Sequence, residues 1–120
     1  MEMMGQPQSI DPGDLPAIIT SYLKAHMARD IDVAVRSYAP DATVTDEGKT
    51  YRGREEIRQW LPRSASEFTY TIEMIGATKV AGNRYVAMHH LEGNFPGGRV
   101  DLQFRFTLRG GEISQLTIEE

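Results

Sequence analysis

Between Val100 and Leu108 the chain alternates without a break. Val100, Leu102, Phe104, Phe106 and Leu108 are apolar, while Asp101, Gln103, Arg105 and Thr107 are polar. A period of two belongs to a β-strand with one face packed and the other turned to water or a partner. Such a strand needs neighbours to cover its apolar face, and the sequence supplies them. FTYTIEMIGATKV, NRYVAMHHLEGNF, GRVDLQFRFTL and EISQLTIE are rich in β-branched and aromatic residues, with Gly82-Asn83, Pro96-Gly97-Gly98 and Gly110-Gly111 between them. Turn residues between such runs predict four strands joined as an antiparallel meander.

The first half of the chain has a different period. Leu15, Ile18, Ile19, Tyr22, Leu23 and Met27 recur at helical spacing, which predicts an amphipathic helix with Asp14 as its N-cap and Pro16 in its first turn. His26 follows Tyr22 by one turn on the same side. After Arg29 and Asp30 a shorter helix turns Ile31, Ala34, Val35 and Tyr38 to the core and stops at Pro40. One strand covers about Ala42 to Asp46, and Glu47, Gly48 and Lys49 turn the chain. Gly53 opens a third helix with Ile57, Trp60 and Leu61 on its apolar side, and Pro62 ends it. Residues 1–13 lack an apolar period and read as a mobile tail, leaving 14–120 as a single domain. Helices precede the meander with no βαβ alternation, so the fold class is α+β. Three helices closing over the concave face of a curved antiparallel or mixed sheet would leave a cone with a cavity at its wide end.

Composition removes several function classes. At 120 residues, 40% hydrophobic and 25% charged, the chain can bury a core without covalent staples. Its net charge of −4 and scattered basic residues argue against a nucleic-acid partner. The one local cluster, Arg52, Arg54, Arg58 and Arg63, is interrupted by Glu55 and Glu56 and reads as a solvated helix face. With no cysteine, disulfides, thiolate chemistry and cysteine-bound zinc are excluded. No apolar run approaches the ~20 residues that cross a bilayer, so no membrane partner is expected. The amino terminus lacks signal-peptide character, and the expected location is cytoplasmic.

Asp46 is the first candidate for chemistry. On a regular strand it shares a face with Ala42 and Val44, opposite Thr43 and Thr45. The plain reading is a strand-end acid capping the turn at Glu47-Gly48. The chemical reading is a general base whose pKa is raised by an apolar wall. Tyr22 is either a core tyrosine with a satisfied hydroxyl or a phenol donor aimed at a developing oxyanion. Adjacent His89 and His90 point to opposite faces and cannot readily share an ion, so no metal site is expected. One of the two faces the cavity, and His90 is assigned to its wall together with His26, Tyr38, Trp60, Met74, Met88 and Phe104. GNFPGGR lies between strands and is a hairpin loop, not a phosphate cradle.

The segment YLKAHMARDIDVAVRSYAPDATVTDEGKTYRGREEIRQWL resembles the nuclear transport factor 2-like superfamily, in its SnoaL-like polyketide cyclase and ketosteroid isomerase branch. The likeness is carried by Tyr38-Ala39-Pro40-Asp41-Ala42-Thr43-Val44-Thr45-Asp46 and by Arg52-Gly53-Arg54-Glu55-Glu56-Ile57. FRFTLRGGEISQLTI resembles the closing hairpin, so the similarity spans about residues 14 to 120. It implies a cystatin-like α+β barrel as a single SnoaL-like domain. It places Asp46 at the general-base position and Tyr22 at the oxyanion-tyrosine position of the isomerases. Their second oxyanion donor, a protonated aspartic acid, falls near Phe104, so that donor is missing here. The resemblance implies a small apolar or aromatic ligand with a carbonyl or phenol, and proton transfer of isomerase or cyclase type with no cofactor. It also implies a homodimer through the outer sheet face, where Asp101, Gln103 and Arg105 would lie. A non-catalytic binding module and an interaction domain of the same fold remain alternatives. A cavity filled by His26, Trp60 and Phe104 in mutual contact would favour the interaction domain.

Overall fold

A computed structural model of the chain describes residues 7–66 and 70–120. Residues 1–6 of the expected tail, Phe68 and Thr69 of the first meander strand and the Arg63 side chain lie outside that description. In chain order the elements are β1 (Gln8–Ile10), a 3-10 turn (Pro12–Asp14), α1 (Ala17–Ala28), α2 (Ile31–Arg36), β2 (Tyr38–Asp46), β3 (Lys49–Arg52) and α3 (Gly53–Ser66). They are followed by β4 (Tyr70–Ala81), β5 (Arg84–Gly93), β6 (Arg99–Arg109) and β7 (Glu112–Glu119). All seven strands form one sheet in the order β1-β4-β5-β6-β7-β2-β3. β2 runs parallel to β7, and every other neighbouring pair is antiparallel.

The alternation in β6 sets the register of the sheet. Phe104 stands opposite Ala87 on one side and Ile118 on the other, and Phe106 stands between Tyr85 and Leu116. Opposed residues share a face, so the apolar side of all these strands looks the same way. The helices cover that side. Ile19, Tyr22 and Leu23 of α1, Ala34 and Val35 of α2, and Ile57, Trp60 and Leu61 of α3 join Phe104, Phe106, Ile113 and Leu116 in one core. Each large apolar side chain buried there contributes about 1.5–3 kcal/mol.

The structure departs from the sequence reading at element ends. Gln8–Ile10, read as part of a mobile tail, adds a short edge strand by pairing with Lys79, Thr78 and Ala77. Asp14 lies in the 3-10 turn and does not cap α1, whose N-cap is Pro16 with no side-chain hydrogen bond. Tyr38 and Pro40 belong to β2: Tyr38 pairs with Ile113, and an irregularity in register before Thr43 accommodates the proline. KTYR is a strand, joined to β2 by a tight turn with Glu47 and Gly48 at φ 54° and 79°. α3 runs through Pro62 to Ser66, because a proline removes one backbone donor without forbidding helical geometry after it.

The Arg-Gly-Arg-Glu motif explains how α3 is mounted on β2. Gly53 takes φ +80°, with the Pro40 carbonyl 3.7 Å from where a Cβ would stand. Glu56 Oε1 accepts from the Arg52 backbone N–H at 2.8 Å. Arg54 donates from Nε and Nη2 to the Tyr38 carbonyl at 3.0 and 2.7 Å and reaches Glu112 at 3.4 Å. One side chain thus ties the helix start to β2 and to the first residue of β7. Arg54→Met keeps the aliphatic stem but loses the fork, and should lower the unfolding free energy by about 1–2 kcal/mol. Urea denaturation followed by Trp60 fluorescence measures this.

Candidate functional site

β2 delivers Asp46 to the helix-covered face by parity. Ala42 and Val44 are fully buried on that face and Asp46 follows them, half-buried, opposite Ile118. α3 brings Trp60 across, and its indole Nε1–H donates to Asp46 Oδ2 at 3.0 Å. The Trp60 ring is backed by Tyr51 of β3, with centroids 6.1 Å apart. Burial raises the pKa of Asp46, the indole hydrogen bond offsets part of that, and Glu47 adds to the rise. A carboxylate oriented by one donor and reluctant to stay charged is suited to accepting a proton.

Tyr22 and His26 lie one turn apart on α1, and Tyr38 meets them from β2. The Tyr38 hydroxyl donates to the Tyr22 oxygen at 2.6 Å, and the Tyr22 hydroxyl lies 3.1 Å from His26 Nδ1. All three groups are buried. The arrangement that leaves no hydroxyl proton unpaired has Tyr38 donating to Tyr22 and Tyr22 donating to Nδ1. His26 then carries its proton on Nε2. Burial raises the pKa of Tyr22, donation from Tyr38 opposes this, and the charge of Asp46 adds to the rise. Burial likewise raises Tyr38, with Tyr22 adding to the effect. The Tyr22 hydroxyl is therefore engaged at both ends, and His26 is the end of the relay.

His26 also contacts two other expected lining residues, with its centroid 5.8 Å from Trp60 and 6.1 Å from Phe104. Burial first, and His89 second, lower its pKa to about 4. Met74 is half-buried on this same face, opposite His89.

Two lining assignments need correction. Met88 and His90 lie on the outer face, because Tyr85, Ala87, His89 and Leu91 take the inner parity of β5. His90 stands opposite Asp101, with its ring nitrogens 2.6 Å from Asp101 Oδ1 and 2.8 Å from Glu92 Oε2. These carboxylates, Glu92 foremost, raise its pKa. The inner histidine is His89, which the sequence reading left out of the lining. It is 0% exposed, and neither ring nitrogen has a hydrogen-bond partner. An orphaned buried polar group costs about 1–3 kcal/mol. The alternation Tyr85, Ala87, His89, Leu91 was the signal that could have found it.

On the opposite side of the sheet a groove of about 270 Å³ is lined by residues including Val86, Arg105, Thr107 and Thr117. Among the described residues no group of three or more His, Cys, Asp or Glu could hold a metal ion.

A helix-capped mixed sheet with an inward acid at the end of β2 defines a class, and comparison with known proteins gives it a family. Residues 19–116 match the SnoaL-like domain family, and the chain belongs to that family, within the nuclear transport factor 2-like superfamily. A candidate polyketide cyclase of Sinorhizobium meliloti is 32% identical over 92% of this chain and 100% of its own, with a TM-score of 0.83. A ketosteroid isomerase-like fold protein of Catenulispora acidiphila, solved with trimethylamine, is 23% identical over 88% of this chain and 85% of its own, with a TM-score of 0.74. TerC, co-crystallised with polyporic acid, is 18% identical over 85% of this chain and 87% of its own, at a TM-score of 0.71. The last two likenesses show the fold alone. No curated protein matches the chain in sequence.

The buried imidazoles make stability depend on pH. The unfolded rings bind a proton near pH 6.5, whereas the folded ones refuse it until about pH 4. Unfolding therefore takes up protons in this window, and stability falls as pH drops from about 6.5 towards 4. The slope approaches about 1.4 kcal/mol per pH unit for each ring. Urea midpoints measured from pH 7 to 5 should fall, and His89→Leu should make that fall shallower.

Proposed function

We infer that this SnoaL-like domain binds a compact apolar or aromatic molecule bearing a carbonyl or phenol. In this reading Asp46 moves a proton next to that group in a cofactor-independent reaction of isomerase or cyclase type. The observation that carries it is the Asp46 carboxylate on the helix-covered face, half-buried and held by the Trp60 indole at 3.0 Å. Asp46 would accept the proton α to the carbonyl. His26 Nε2–H, fixed by the Tyr38–Tyr22 relay, would meet the oxygen on which charge develops. Tyr22 is then a positioning residue that holds the tautomer of His26. The Sinorhizobium relative described as a candidate polyketide cyclase supports this reaction class, and the relatives solved with trimethylamine and polyporic acid support a small organic ligand.

The test is α-hydrogen exchange of 2-tetralone in deuterated water, followed by proton NMR. The chain should accelerate the exchange, and Asp46→Asn should remove the acceleration by about 10²–10⁴-fold while circular dichroism stays unchanged. No acceleration by the wild type, or equal rates in the two proteins, refutes the general-base assignment.

A second reading is favoured by the ring contacts of His26 with both Trp60 and Phe104. An interior occupied by its own aromatic rings suits a domain that works through its outer sheet face. That face carries Ile75 at 50% exposure and the half-buried Met88, flanked by the Arg105–Glu119 and His90–Asp101 pairs. Apolar residues ringed by ion pairs suit self-association in a homodimer. Light scattering should then give about twice the 13.5 kDa chain mass, and Met88→Glu should return it to the monomer value.

A further inference from the structure

His89 has no role in either reading, and its surroundings leave it without a partner. It stands on the helix-covered face between Met74 and Leu102, with its ring 4.7 Å from that of Phe104. Neither Nδ1 nor Nε2 makes a hydrogen bond, although a neutral imidazole carries one donor and one acceptor. The side chains of Met74, Leu102 and Phe104 have nothing to offer it, and His26 Nδ1 is engaged with Tyr22. The nearby Ala87 backbone acts on its charge without making a hydrogen bond of normal geometry to either ring nitrogen. A leucine would fill this position with no unpaired polar atom. The imidazole is suited to a partner that the chain itself does not supply.

We propose that His89 is the polar anchor of the ligand-binding interior, forming a hydrogen bond with a hydroxyl or carbonyl oxygen of a neutral, otherwise apolar molecule. The proposal rests on the small-molecule reading above and narrows its ligand class. Burial, only partly opposed by the Ala87 backbone, keeps the imidazole neutral at pH 7. Met74, Leu102 and Phe104, the described neighbours of His89, carry no positive charge to hold a carboxylate or phosphate, and Asp46 would repel it. A phenol or enol can donate to the bare ring nitrogen, and a ketone can accept from the ring N–H.

Access requires movement, because neither ring nitrogen meets solvent. Met74, opposite His89 and half-buried, is unbranched and can swing aside to admit a ring. Phe104, beside His89, then offers an apolar face for stacking. In sheet order β5 and β2 are separated by β6 and β7, roughly 14 Å along the sheet. His89 and Asp46 reach inward from the two ends of that span.

2-Naphthol is the probe, added to the full chain at pH 7 and followed by its own fluorescence. The wild type should bind it, and His89→Leu should weaken it roughly tenfold while naphthalene binds both proteins equally. 2-Naphthoate should bind the wild type at least roughly tenfold more weakly than 2-naphthol. In the wild type, nitrogen-15 NMR of the imidazoles should show the His89 resonances move as 2-naphthol is added. Equal binding of 2-naphthol to both proteins, or binding without movement of the His89 resonances, overturns the anchor and leaves the small-molecule reading intact. Tighter binding of 2-naphthoate than of 2-naphthol overturns the neutral ligand class. No binding of 2-naphthol or naphthalene to the wild type overturns the anchor and the small-molecule reading together.

Discussion

Polar groups placed inside an apolar core must find partners there or carry the full cost of leaving water. This constraint orders the interior of the domain. Asp46 takes the Trp60 indole, which fixes α3 against the end of β2. Tyr38, Tyr22 and His26 satisfy one another in a chain that joins β2 to α1. The helices are therefore positioned over the sheet by directional bonds as well as by apolar contact. Among the described residues His89 alone stands outside this scheme, and for that reason it is the most informative side chain in the described interior.

Two kinds of information lie close together in Tyr38–Ile57. The Arg-Gly-Arg-Glu part is a mounting device: a glycine at positive φ, a glutamate returning to a backbone N–H, and an arginine fork on a backbone carbonyl. None of these groups reaches the interior. The acid at the end of β2 does reach it, and there its partner is a tryptophan. A sequence can thus carry the family's architectural marks in full while its chemistry rests on one or two side chains, which is how one fold comes to host many activities.

Much of this was legible in the sequence because a pleated strand has a strict period. The unbroken alternation of β6 and the Ala42, Val44, Asp46 series placed every side chain on its correct face. β5 is harder, since Val86 and Met88 are apolar on the outer parity and blur the pattern, so the sequence does not separate His89 from His90 as the inner histidine. KTYR and QSI are too short and too polar to show a period, and each is a strand only because a longer neighbour offers free backbone groups. Pro62 misled because a proline weakens a helix without having to end it. The unpaired state of His89 lay beyond any sequence pattern, because it depends on three strands arriving side by side.

The parallel pairing of β2 with β7 has a consequence for how the chain reaches its native state. β7 lies last in the sequence, yet in the sheet it sits between β6 and β2, joining the meander to the half that carries the acid. Until that final strand is in place, β2 has β3 as its one strand neighbour and β6 has only β5. Assembly must close a loop of more than sixty residues between Asp46 and Ile118, so the domain forms late and as a whole, with an entropic barrier set by its topology.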